Sequence, residues 1–96
     1  MEVRLQMNDG IEELTEACVK KWGVPAQIVM TMEEMAELAK ELSKFYRGKG
    51  DSLKIAEEIA DVRLMLDQME HIFDFKDTVT EAREFKIARL KERLKQ

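Results

Sequence analysis

The chain of 96 residues is long enough for one domain with a single small core. It is 45% hydrophobic and 38% charged, with four glycines and one proline, and this composition favours helix almost throughout. A formal net charge of −4 and scattered basic residues argue against a nucleic-acid polymer as a partner.

The sequence also predicts a soluble protein of the cytoplasm. No apolar run approaches the length needed to span a membrane, and the amino-terminal MEVRLQMNDG lacks a secretion signal pattern. Cys18 is the single cysteine, so no disulfide can form within the chain. We interpret Cys18 as a small buried apolar residue.

Two helices are predicted in the first half of the chain. The first begins near Asn8–Asp9, whose side chains can cap it, and ends at Trp22–Gly23. The second starts at Pro25 and continues to about Arg47, where RGKGD interrupts it. Its main apolar row consists of Ile28, Met32, Met35, Ala39, Leu42 and Tyr46. With its flanks this apolar arc is roughly twice the stripe of about 100° that a surface helix needs, so we predict a homo-oligomer, a homodimer or a homotetramer.

Two further helices are predicted in the second half. Asp51 or Ser52 can cap the third helix, which ends near Asp74. The fourth begins at TVTE, where Thr78 and Glu81 have the spacing of a capping box, and runs to the carboxyl end. No segment alternates with period two. We therefore predict an all-α fold, a four-helix bundle that forms one domain over residues 1–96.

The stretch AEEIADVRLMLDQM, residues 56–69, places a carboxylate on the apolar side of the third helix. Glu58 projects from the middle of that side and Asp61 lies at its edge. The apolar residues of that side are Ile59, Val62, Met65, Leu66 and Met69. Because an ionised carboxylate is costly to bury unless it is paired or bound to a metal, Glu58 indicates an internal site.

The second helix carries a matching set of carboxylates. Glu34, Glu37 and Glu41 fall within about one-sixth of a turn of each other, and the three-residue spacing of Glu34 and Glu37 matches that of Glu58 and Asp61. Facing carboxylates repel unless a divalent cation lies between them, and ligation by oxygen alone suits Mg²⁺ or Mn²⁺. We expect the other acidic residues nearby to be solvated, namely Glu33, Glu57 and also Glu41.

The two acidic segments together resemble the signature of the MazG-like all-α nucleoside triphosphate pyrophosphohydrolases. The pattern EExxE is present as Glu33-Glu34-Met35-Ala36-Glu37, and ExxD as Glu58-Ile59-Ala60-Asp61. The likeness extends from KWGVPAQ through RGKGD to FKIARLKERL and so covers most of the chain.

This resemblance implies Mg²⁺-dependent hydrolysis of a nucleoside triphosphate to a nucleoside monophosphate and pyrophosphate. It implies that the metal is held by Glu34, Glu37, Glu58 and Asp61. Glu37 is our choice for the glutamate that activates the attacking water. An oligomer with helices shared between subunits is implied as well.

Four more residues are candidates for contact with the substrate. Lys86 and Arg89 could offset the charge of a triphosphate, or their stems could simply cover the end of the bundle. Gln27 and Trp22 could contact a base, although a tryptophan is more often a core or interface anchor. We interpret His71 as a peripheral helix residue.

Two alternative functions remain open at this stage. One is a non-enzymatic helical module that dimerises and presents an acidic ridge to a basic partner. The other is a related enzyme that uses the same carboxylates on dUTP or on a nucleotide bearing a diphosphate. Replacing Glu58 separates the module from the enzymes, because only the enzymes need its charge.

Overall fold

The chain folds into four α-helices in a computed structural model that describes residues 10–96. These are α1 (Ile11–Trp22), α2 (Val24–Tyr46), α3 (Ser52–Phe73) and α4 (Lys76–Leu94). No strand occurs within residues 10–96, so the all-α prediction is confirmed. None of the four helices is both long and apolar enough to cross a membrane.

Glycine and proline separate α1 from α2, as the sequence predicts. Gly23 has a φ of 91°, which is open to glycine and strained for other residues, and its N–H donates to the carbonyl of Val19 at 2.8 Å. Pro25 lies in the first turn of α2, where no intrahelical N–H is required. The predicted caps of α1, Asn8 and Asp9, lie outside the described residues.

Asp51 caps α3 as predicted, because its Oδ1 accepts a hydrogen bond from the N–H of Leu53 at 2.9 Å. The capping box predicted at Thr78 is not formed, and α4 begins two residues before Thr78. The helix begins at Lys76, after a turn in which the N–H of Phe75 donates to Glu70 and the carbonyl of Phe75 accepts from Val79. Thr78 therefore lies inside the first turn and caps nothing.

The α2–α3 pair is the centre of the fold. The turn at residues 47–51 joins the two helices into an antiparallel hairpin, and α1 packs against both of them. Met65, at 5% exposed, is the one buried large apolar side chain within residues 10–96. Val62 and Met69, on the same side of α3, are half-buried.

The side of α2 that faces the interior is mostly polar, which differs from the prediction. Its buried and half-buried row consists of Gln27, Thr31, Glu34, Leu38 and Glu41. The predicted apolar row lies about 100° further round the helix. Met32, Met35 and Leu42 of that row are each about half exposed. Because the apolar arc of α2 is wide, either the predicted apolar row or the row with Glu34 and Glu41 could face the interior. In the structure α3 covers the row with Glu34 and Glu41.

One side of the α2–α3 hairpin is apolar and uncovered. We call it the bare apolar surface and define it by Met32, Met35, Leu42, Ile59, Leu66 and Phe73. Its residues on α3 recur every seven positions, about a quarter turn from Glu58, which places them on the same side of the antiparallel hairpin as the α2 residues. In all, twenty large apolar side chains within residues 10–96 are exposed, against one that is buried. The chain alone therefore lacks a core of ordinary size.

The opposite side of the hairpin is covered by α1. The Cys18 Sγ lies 3.9 Å from the Gln68 Nε2, and the His71 Nε2 lies 3.1 Å from a carboxylate oxygen of Glu16. His71 is half-buried, and its contact with Glu16, which is 71% exposed, lies at the solvent-facing edge between α1 and α3. Cys18 is half-buried, less than predicted.

The fourth helix projects from this arrangement. It approaches only α3, and every one of its residues is exposed. Three helices pack together in one chain, while α4 presents both its apolar and its basic side chains to solvent.

Candidate metal centre

Three carboxylates meet between α2 and α3. Glu58 and Asp61 project from the same side of α3 because they are three residues apart, and Glu34 faces them from the middle of α2. One oxygen from each of the three side chains lies within 4.8 Å of the others. We call this set the acidic cluster: Glu34, Glu58 and Asp61.

No protein group within residues 10–96 neutralises the acidic cluster. Glu34 and Glu58 are half-buried, and the Oε1 of Glu58 is buried without a hydrogen-bond partner. The two nearby lysines of α2 pair with other residues: the Lys40 Nζ lies 3.7 Å from Glu37, and the Lys44 Nζ lies 3.7 Å from Glu41. The cluster therefore has only negatively charged groups among the neighbours that shift the pKa of Glu34 and Glu58.

Burial and repulsion act together on two members of the cluster. Loss of hydration raises the pKa of Glu34 above its ordinary value of 4.5, and the negative charges of Asp61, Glu37 and Glu33 raise it further. Desolvation is also the largest cause that raises the pKa of Glu58. The negative charges of four carboxylates raise it further, those of Asp61, Glu34, Glu37 and Glu41. No basic side chain contributes to either shift.

These features fit a hard divalent cation. Carboxylate oxygens are the ligands that Mg²⁺ and Mn²⁺ prefer, and a cation would partner the buried oxygen of Glu58 while removing the repulsion around it. Three protein ligands also leave coordination positions for water or a phosphate oxygen.

Glu37, the predicted fourth ligand and catalytic residue, stands apart from the acidic cluster. Its side chain is 51% exposed and lies near Lys40. Its charge nevertheless contributes to the raised pKa of both Glu34 and Glu58, so it lies within electrostatic reach of the cluster. Its exposed carboxylate is accessible to solvent beside the acidic cluster.

The chain does not bring the four predicted substrate residues to the acidic cluster. Gln27 is buried on the inner side of α2. Trp22 is 57% exposed, and the Lys21 Nζ lies 5.1 Å from its ring. Lys86 and Arg89 are exposed on α4, where Arg89 lies over the ring of Phe85. None of the four is among the groups that shift the pKa of Glu34 or Glu58.

Glu41 is the acidic residue that sequence reasoning misplaced. It was expected in solvent and is only 6% exposed, whereas Glu33 and Glu57 are exposed as predicted. The available signal was its angle around α2, which is close to that of Glu34. That angle predicts burial of Glu41 only if the acidic side of α2 faces α3, and this depends on how the helices pack.

Comparisons with known proteins give no match. No protein-family model, no curated protein and no solved structure matches this chain. The fold and the acidic cluster thus define an all-α protein with a candidate divalent-cation centre.

The raised pKa values predict how stability depends on pH when a chelator removes divalent cations. The folded protein holds protons on Glu34 and Glu58 more tightly than the unfolded chain does, so their ionisation lowers the free energy of unfolding. The contribution of these two residues to the free energy of unfolding falls as the pH rises from 4.5 through their raised pKa values. Above those pKa values the free energy of unfolding stays lower.

Urea unfolding between pH 4.5 and 7 tests this expectation. Subtracting the profile of a Glu58→Gln variant isolates the contribution of Glu58 from those of the other carboxylates. Saturating Mg²⁺ should oppose the decrease, because binding requires the ionised form. Identical pH profiles for the two proteins in chelator would contradict the assignment.

Proposed function

We propose that this protein hydrolyses nucleoside triphosphates, or their deoxy forms, between the α and β phosphates with the help of Mg²⁺. The products are a nucleoside monophosphate and pyrophosphate. The observation that carries the proposal is the convergence of the half-buried Glu34 and Glu58 with the exposed Asp61, whose carboxylate oxygens lie within 4.8 Å of one another without a basic partner. The sequence pattern around these residues, which resembles that of the MazG-like enzymes, supplies the reaction.

The charge of the site requires a cation for such a substrate. A triphosphate is strongly anionic, and an acidic cluster would repel it if no cation lay between them. Glu34, Glu58 and Asp61 are the residues that would hold Mg²⁺ here. When bound, Mg²⁺ polarises phosphoryl oxygens and lowers the pKa of coordinated water.

Glu37 is the residue we assign to proton transfer. In the balanced reaction the oxygen of water joins phosphorus, the bond to the oxygen that bridges the α and β phosphates breaks, and one water proton is released. Glu37 is exposed, close enough to influence Glu34 and Glu58 electrostatically, and able to accept that proton.

The occupant we propose for the bare apolar surface is a second copy of this chain. A chain with one buried large apolar side chain and twenty exposed ones is a marginal monomer, and a partner with the same surface would bury this side of both hairpins. Each copy would also gain the projecting α4 of the other. Residues 83–96 carry six basic and two acidic side chains, whereas the whole chain has a net charge of −4.

This charge separation favours a site shared between subunits. The α4 of one copy, placed beside the α2–α3 hairpin of the other, would bring Lys86 and Arg89 towards an acidic cluster that has no basic neighbour of its own. There the two cations would bind phosphate oxygens. The exposed ring of Trp22 is available to stack on a base. Gln27, the other residue predicted to contact a base, is only 2% exposed in the single chain and is not available there.

Pyrophosphate release from a panel of ribo- and deoxynucleoside triphosphates tests the proposal. We expect release with Mg²⁺ and none with excess chelator, together with the matching nucleoside monophosphate. A Glu57→Gln variant is the control, because Glu57 is exposed, is not among the groups that shift the pKa of Glu34 or Glu58, and should keep full activity.

The rival functions predict other results. Release restricted to dUTP, or activity only on substrates bearing a diphosphate, would indicate the related enzyme with a different substrate. No turnover of any nucleotide by the folded, Mg²⁺-loaded protein would favour the helical interaction module.

A further inference from the structure

A cavity of about 310 Å³ lies between α1, the start of α2 and the end of α3. Its volume is at the lower end of the range of about 300 to 1,000 Å³ that ligand pockets have, so it suits a small molecule. The cavity is remote from the acidic cluster. Val24 at its edge precedes Glu34 by ten residues on α2, and His71 follows Asp61 by ten on α3, which is about 15 Å along each helix.

The inner wall of this cavity is apolar. Val19, Val24 and Ile72 line it, one from each of three helices, and all three are half-buried. Thr15 completes the wall and is fully buried. Its hydroxyl donates to the carbonyl of Ile11 at 2.6 Å, so it does not need a partner in the cavity. A branched aliphatic group is therefore the kind of group that this wall can bury.

The mouth of the cavity carries two opposite charges that are not paired with each other. Glu16 and Lys20 both line it, one turn apart on α1, and both are exposed. One oxygen of Glu16, the Oε2, lies 3.1 Å from the Nε2 of His71. No ion pair within residues 10–96 involves Lys20. The mouth thus presents a carboxylate and an ammonium group side by side, each able to bind an opposite charge.

We propose that this cavity binds a small zwitterion with a branched aliphatic body, the chemistry of a free α-amino acid such as leucine. The ammonium group of the ligand would bind Glu16 and its carboxylate would bind Lys20, while its side chain would pack against Val19, Val24 and Ile72. The site goes beyond the proposed function and depends on neither a cation nor a nucleotide.

Calorimetry and ligand-observed nuclear magnetic resonance on the full chain, without Mg²⁺ or nucleotide, test this proposal with a matched set of probes. Leucine carries both charges and the aliphatic body. Isocaproate lacks its ammonium group, isopentylamine lacks its carboxylate, and glycine lacks its side chain. We expect leucine to bind and each of the three others to bind at least about 10-fold more weakly, because each loses one charged contact or the apolar one.

Two variants of α1 assign the charges. Lys20→Gln and Glu16→Gln should each weaken leucine binding at least about 10-fold, and both positions are exposed, so the fold should be kept. In Lys20→Gln, leucine should also lose its advantage over isopentylamine. Lys21→Gln and Glu13→Gln are the matched controls, because both residues are exposed on α1 outside the cavity, and both should bind leucine as the unaltered protein does.

Three results would overturn the proposal. The first is no binding of leucine to the unaltered protein. The second is isocaproate or inorganic phosphate binding as tightly as leucine, which would indicate a site for anions in general. The third is unchanged leucine binding in folded Lys20→Gln and Glu16→Gln variants. None of these results bears on the metal centre, so failure here is distinct from failure of the proposed function.

Discussion

Glu58→Gln is expected to reduce pyrophosphate release at least about 100-fold while the protein stays folded. Glutamine keeps the size of the side chain and removes the negative charge that a cation needs. Glu58 is the member of the acidic cluster whose Oε1 is buried without a hydrogen-bond partner, and four other carboxylates raise its pKa.

The stability of this variant should change in the opposite direction. In chelator, its unfolding midpoint is expected to equal or exceed that of the unaltered protein. The substitution removes a negative charge that no cation neutralises from a half-buried position. Added Mg²⁺ should raise the midpoint of the unaltered protein more than that of the variant.

Glu57→Gln is the matched control for Glu58→Gln. It makes the same chemical change at the preceding position, which is exposed, and should affect neither activity nor Mg²⁺ stabilisation. A Glu58→Gln variant with normal turnover would contradict the metal assignment. A variant that unfolds in chelator would instead show that Glu58 is structural.

Met35→Glu is expected to dissociate the proposed oligomer. Met35 is 50% exposed in the single chain, where a surface substitution of this kind costs about 0.5 kcal/mol or less. Between two copies the new carboxylate would be buried without a partner, which costs several times more. Sedimentation or light scattering should therefore give a mass near the 11.2 kDa of one chain for the variant and a multiple of it for the unaltered protein.

Met30→Glu makes the same replacement at another exposed methionine of α2. Met30 is 44% exposed and lies about 140° around the helix from Met35, away from the bare apolar surface. It should retain the mass of the unaltered protein. An unaltered protein that sediments as a single chain at micromolar concentration would rule out the second copy as the occupant of this surface.

The helices were predictable because their signals are local. Asp51 caps α3 through a residue two positions away, and Gly23 with Pro25 separates α1 from α2 through backbone properties of those residues alone. The capping box predicted for α4 is not formed: Thr78 and Glu81 have the spacing of a cap, but the preceding turn at Asp74 and Phe75 already provides the first helical carbonyl.

The acidic cluster was partly predictable for the same reason. The spacing of Glu58 and Asp61 places both on one side of any helix, and a charge among apolar neighbours indicates a site. The sequence could not show that Glu34 meets them while Glu37 stays exposed, since that depends on the angle at which α2 packs against α3.

By itself the sequence determined four helices, their approximate ends and the grouping of carboxylates on two of them, because neighbours within a few residues set these features. Only the tertiary structure decided that the polar row of α2, with Glu41, faces inward and that Met32, Met35 and Leu42 remain bare. The apolar arc of α2 is too wide for hydrophobicity to select one side. The choice depends instead on which side α1 and α3 can cover, and that is a property of the packed helices together.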